Sequence, residues 1–89
     1  MVNPYTEHVL DNIRTRTFSV DVDEDELVWH RDHHDRYVTI IEGDGWRIQM
    51  DNKLPRMLEP GDAFPIPKNT YHRILKGYTD LVVEILEKK

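Results

Sequence analysis

Eighty-nine residues without a single cysteine, carrying a formal net charge of −5 at pH 7, set firm limits. A chain this short buries only roughly 60–65% of its unfolded surface, and with no thiols neither disulfides nor zinc–thiolate sites can reinforce its core; a bound metal or a second copy remains. The acidic balance argues against nucleic-acid binding, which needs a basic stripe, and no apolar run approaches the roughly 18 residues of a membrane span, nor does a signal-peptide pattern open the chain, so one cytoplasmic domain over residues 1–89 is expected.

Asn3-Pro4 carries a helix-start signal, Asn as N-cap and Pro at the first helical position. Tyr5, Val9 and Ile13 follow at roughly helical spacing, so residues 4–13 read as a short helix or an irregular N-terminal arm. From Thr15 to Val22 the period falls to two. Asp21, Asp23 and Asp25 have the spacing of a calcium loop but lack its glycine and terminal glutamate, so a solvated acidic turn is expected. Leu27-Val28-Trp29 resumes a strand that leads into His30.

Tyr37 to Glu42 is a β-branched strand ended by Gly43-Asp44-Gly45, a hairpin signal. Trp46, Ile48 and Met50 alternate with Arg47 and Gln49, which places the two sets on opposite faces. Lys53 to Leu58 is weaker and interrupted by Pro55. Ala63–Ile66, Tyr71–Lys76 and Leu81–Leu86 complete about eight short strands separated by turns at Pro60-Gly61, Lys68-Asn69 and Gly77–Asp80. That pattern predicts an all-β sandwich or jelly-roll barrel. Trp29, Tyr37, Trp46 and Tyr71 read as barrel core rather than as a stacking platform.

Chemistry concentrates in two places. Trp29-His-Arg-Asp-His-His-Asp-Arg36 gathers His30, Asp32, His33 and His34, all able to bind a metal, and His72 follows the run Gly61-Asp-Ala-Phe-Pro-Ile-Pro67. On a strand starting at His30, positions 30, 32, 34 and 36 share a face, which makes His34 a candidate fourth ligand and His33 a surface residue. Two imidazoles and one carboxylate form the facial set of mononuclear non-haem iron sites. A hydrogen-bonded network without metal, His30–Asp32 and Asp35–Arg36, is the alternative. No serine or cysteine nucleophile and no Gly-rich phosphate loop is present.

At these residues the chain resembles the cupins, the RmlC-like double-stranded β-helix barrels. The family's second motif runs Gly, Pro, Gly, His, Asn; Gly61, Pro67, Asn69, His72 and Lys76 stand at those positions. Its first motif runs His, His, Glu, Gly; here the positions read His30, Asp32, Arg36 and Gly43. The resemblance implies an all-β cupin jelly-roll barrel and one divalent metal (Fe, Mn, Ni or Zn) held by His30, Asp32 and His72; His34 is a candidate on strand phase alone. It also implies a homodimer, which the apolar residues on both faces of Leu81–Leu86 independently suggest. Arg36 has no lone pair to offer a metal. A guanidinium there suits a carboxylate or phosphate, so Arg36, with Lys76 and Gln49, is the candidate receptor for a small anionic ligand.

Two functions follow. The first is a metal-dependent small cupin, an oxygenase or an isomerase/lyase acting on a small anionic metabolite. The alternative is a metal-free cupin module that binds or senses a small anion.

Overall fold

Strands with alternating side chains occupy most of the chain, and antiparallel pairing sorts them into two sheets. The computed structural model describes residues 3–88. Its strands are β1 (Thr6–Leu10), β2 (Ile13–Phe18), β3 (Asp35–Glu42), β4 (Arg47–Met50), β5 (Arg56–Met57), β6 (Ala63–Ile66), β7 (His72–Leu75) and β8 (Leu81–Lys88). One sheet has the order β1-β2-β8-β3-β6 and the other β5-β4-β7. No helix among the described residues is long and apolar enough to cross a membrane.

The expected N-terminal helix or arm is replaced by a hairpin. Thr6 pairs with Thr17 and Leu10 with Ile13 across a tight turn in which Asp11 adopts φ 55. The Asn-Pro cap signal is local, whereas Thr6, Val9, Ile13, Thr15 and Thr17 are β-branched; β1 pairs with β2, and β2 in turn pairs with β8. The strand read over Thr15–Val22 accordingly starts earlier and stops at Phe18. Its expected continuation at Leu27–Trp29 is irregular chain after a single 3-10 turn, Glu24–Glu26, whose Asp23 cap accepts from the Asp25 amide. The acidic segment is exposed, as a solvated turn should be.

Gly43-Asp44-Gly45 is also not a hairpin. It links β3 in the larger sheet to β4 in the smaller one, crossing between layers as jelly-roll connections do. Gly45 has φ 81, and the Asp44 amide and carbonyl are tied to Thr79 and Tyr78 of the loop opposite.

Inward-facing residues come from alternate positions of both sheets. Val38 and Ile40 of β3, Ile48 of β4, Phe64 and Ile66 of β6, and Leu81, Val83 and Ile85 of β8 are buried, with Trp46 and Leu58 beside them. Trp46 is fully buried and donates its indole N–H to the Thr79 carbonyl. Of the four aromatics expected in the core only Trp46 is there. Trp29 lies under the Arg73 guanidinium, Tyr71 under Arg31, and Tyr37 on the outer sheet face, each at least 40% exposed. Their polar edges, and for Trp29 and Tyr71 a stacked arginine, explain why an exposed position costs them little. The inner faces do not close on each other. They enclose a cavity of about 640 Å³, rimmed by exposed Asn3, Asp25, Glu26 and Val28.

Candidate metal centre

The polar part of the cavity wall is made where the chain between His30 and Asp35 crosses the start of β7. His30 and His72 face each other in an isolated bridge, each amide donating to the other's carbonyl at 3.0 and 2.9 Å. The Asn69 amide donates to the Asp32 carbonyl at 2.7 Å. Asn69 itself adopts φ 61, the left-handed conformation asparagine tolerates where the related motif has glycine. Two segments some forty residues apart are thereby fastened backbone to backbone, and their side chains converge.

Ligating atoms of His30, Asp32 and His72 all lie within 4.8 Å of one another. Asp32 Oδ2 is 3.5 Å from His72 Nε2, Oδ1 is 4.0 Å from His30 Nε2, and the two rings meet edge to face at 4.3 Å between centroids. Each imidazole directs Nδ1 at a carbonyl oxygen two residues earlier, Thr70 at 2.8 Å and Val28 at 3.1 Å. Carbonyls only accept, so the proton sits on Nδ1 and the Nε2 lone pair faces Asp32. That arrangement is the usual outer support of a metal-bound histidine.

Burial disfavours the charged form of His72 and lowers its pKa; the Thr70 carbonyl and the Asp32 charge oppose this, and the charges of His30 and Arg36 reinforce it. A neutral, lone-pair-bearing ring is the form a cation needs. Asp32 Oδ2 is buried with no hydrogen-bond partner. An orphaned carboxylate oxygen in a dry wall is costly, and a cation at this point would satisfy it. Two imidazoles and a carboxylate suit Fe, Mn, Ni or Zn.

Arg36 stands beside this cluster, fully engaged. Its Nη1 meets Asp32 Oδ1 at 3.2 Å, while Nε and Nη2 both reach Glu87 Oε2, at 3.1 and 2.9 Å. Burial alone would raise the Glu87 carboxyl, but the hydrogen bonds and charge of Arg36 outweigh it and hold the pKa below the usual range.

The other residues singled out from sequence lie elsewhere. His34 and His33 are exposed, and neither belongs to the three-residue group. The phase argument for His34 assumed a strand from His30, whereas regular pairing begins at Asp35. Asp35 pairs with the Lys68 amide rather than with Arg36. Gln49 points away from the cavity, accepting from Arg73 and donating to the Lys53 carbonyl. The Lys76 ammonium donates to the Val22 carbonyl. Neither Gln49 nor Lys76 lines the cavity.

Sequence reading passed over Glu87 and Arg16. Glu87 was missed because the last strand was ended at Leu86; it follows Val83 and Ile85 in phase. Arg16 shares a face of β2 with Phe18, two residues on, and both line the cavity. Its shared phase with an inward aromatic was the available signal.

No protein-family model matches the sequence, and no curated protein does. Solved structures do. An RmlC-like cupin with a double-stranded β-helix fold from Methanocaldococcus jannaschii superposes with TM-score 0.71 at 15% identity, over 97% of this chain and 81% of the other. A cupin domain from Bordetella pertussis gives TM-score 0.65 at 19% identity, over 100% and 99%. A DMSP lyase structure gives TM-score 0.73 at 18% identity over 86% of this chain, which spans only 37% of that longer one. Likeness at these identities carries architecture and not activity. Together with two antiparallel sheets closed over one cavity, it establishes that this chain folds as a cupin-type double-stranded β-helix.

Proposed function

We propose that the protein is a small metal-dependent cupin enzyme. His30, Asp32 and His72 hold one divalent cation (Fe, Mn, Ni or Zn) at the polar end of an apolar cavity, and the substrate is a small anionic metabolite. The observation that carries this reading is the buried, unpartnered Asp32 Oδ2 with two imidazole Nε2 atoms turned toward its carboxylate. When bound, the cation supplies Lewis acidity and open coordination positions. The chain's own part is clearer. Thr70 and Val28 fix the imidazole tautomers, Arg36 holds Asp32 Oδ1 and leaves Oδ2 to face the centre, and the apolar wall excludes water. Asp32 and Glu87 against Arg36 leave one negative charge in excess. A dication reverses that sign and favours an anionic substrate.

Metal analysis of untagged protein, followed by calorimetric titration with Fe(II), Mn(II), Ni(II) and Zn(II), tests the reading. Near-stoichiometric binding that Asp32→Asn and His72→Gln weaken at least about tenfold is expected. Absence of binding by all four ions would end it. A lyase or isomerase keeps its turnover without oxygen and an oxygenase does not, which separates the reaction classes sharing these ligands. A second reading, a metal-free module for a small anion, is favoured by one observation: Arg36 already neutralises Asp32 at 3.2 Å. It requires thermal stability indifferent to chelator and ligand binding without turnover.

A further inference from the structure

We infer that Arg16, rather than Arg36, receives the charged group of the ligand, and that the cavity takes an amphipathic monoanion, a carboxylate on an apolar chain. The inference rests on the reading of this cavity as the substrate site and names its substrate class.

Two arginines line the cavity. Arg36 has all three guanidinium nitrogens committed to Asp32 and Glu87, so a carboxylate arriving there meets no free fork. Arg16 differs. Its side chain is only 12% exposed, its Cζ lies 4.1 Å from the Tyr5 ring centroid, and Tyr5 packs on Phe18 at 5.3 Å. Nε is taken by Glu7. Among the described residues no hydrogen bond engages Nη1 or Nη2, and neither is a sealed, partnerless atom. A guanidinium placed over an aromatic ring, with two parallel N–H groups free of hydrogen bonds, matches a carboxylate bidentately.

The local charge agrees. Glu7 is shared between Arg14 and Arg16, so this cluster keeps one positive charge in excess. Asp25 and Glu26 also rim the cavity, but they sit on an exposed turn where water and salt screen them. They disfavour a second negative charge more than they weaken a pair made inside the wall, which is why the ligand is a monoanion.

Register sets the ligand's length. Arg16 stands opposite Val83 and Arg36 opposite Glu87. These β8 positions are four residues apart on one face, on the order of 13 Å. A carboxylate at Arg16 therefore lays its chain along Val83, Ile85 and Val38, with its far end toward His30, Asp32 and His72.

Displacement of 8-anilinonaphthalene-1-sulfonate by octanoate, compared with 1-octanol, tests this on the full chain. Wild type should prefer octanoate about tenfold or more, as a charge-assisted fork implies. Arg16→Gln should erase the preference while leaving 1-octanol unchanged. Glu7→Gln, which removes the competing carboxylate, should tighten octanoate severalfold. Equal affinity of wild type for the two probes, or a preference that survives Arg16→Gln, overturns the inference. Zn(II) titration of the same variants keeps the failures apart: Arg16→Gln should bind Zn(II) as wild type does. Octanoate preference can be lost with the metal site intact, and the reverse.

Discussion

Replacing Arg36 with methionine keeps an unbranched apolar stem and removes the cation between two carboxylates. Asp32 and Glu87 have side chains only 10% and 11% exposed, so neither recovers full hydration when the guanidinium goes. Removing one partner of a buried ion pair costs roughly 3–5 kcal/mol; the residual exposure puts the expected loss near the lower bound, about 3 kcal/mol. For a domain of this size about 1 kcal/mol corresponds to roughly 4–8 °C, so the metal-free variant should melt on the order of 12–24 °C lower. Saturating Zn(II) gives Asp32 a cation again and should recover a substantial part of the loss. Urea denaturation followed by fluorescence of Trp46, which is fully buried, measures both states. The effect also shrinks in acid. In wild type the Glu87 pKa lies below its usual value, so its contribution is present above the unfolded value of about 4.3 and fades as pH falls through the folded one. The gap between wild type and Arg36→Met should therefore narrow at low pH. A metal-free variant within about 1 kcal/mol of wild type at pH 7 would refute the reasoning, because the two carboxylates would then not depend on Arg36.

His72 titrates below its ordinary value chiefly because it is buried, so the native state resists its protonation. Stability should be intact above about pH 6.5 and decline as pH falls toward the lower native value, and His72→Gln should flatten the urea midpoint over that window. Gly77→Ala places a Cβ against the Asp44 carbonyl oxygen and the Trp46 amide, both backbone; a loss above about 3 kcal/mol in urea is expected. On the outer sheet face Leu10, Ile13, Leu86 and Tyr37 fall in one cross-strand row, and Leu10 is 68% exposed. Sedimentation should show a dimer at micromolar concentration and a monomer for Leu86→Lys.

Long-range architecture was legible because it depends on alternation. β3, β4, β6 and β8 each write their inward residues at every second position, and the Pro-Gly and Lys-Asn turns fall where the chain turns. The site was legible in part for a different reason: His30, Asp32 and His72 belong to motifs whose spacing survives even where residue types have changed. What could not be read was decided by partners distant in sequence. The N-terminal segment has a helix signal in its own residues and becomes a strand because it folds back on β2, which is itself held at the edge of β8. Gly43–Gly45 has the composition of a hairpin, and only the assembly of two sheets makes it a crossing. Arg36 could be placed facing the site, but that Glu87 would arrive from the other end of the chain to occupy it could not be foreseen. The cation proposed to meet the ligand is instead Arg16, which in the sequence is only one position of the Thr15–Val22 strand; its place in the cavity wall follows from the pairing of β2 with β8.

A hollow interior has a consequence for stability that binds the fold to its use. The buried residues Val38, Ile40, Ile48, Leu58, Phe64, Ile66, Leu81, Val83 and Ile85 are themselves the cavity wall. Where they border the open space they lack close neighbours and forfeit part of their dispersion energy, the arrangement that the proposed ligand cavity requires. Val83→Phe should fill part of it and stabilise the empty protein by on the order of 1 kcal/mol, at about 24 cal/mol per Å³ of cavity removed. The same substitution should block octanoate while leaving Zn(II) binding at His30, Asp32 and His72 intact. A variant that gains no stability and still binds octanoate would mean that the space collapses in solution and that the wall is ordinary core.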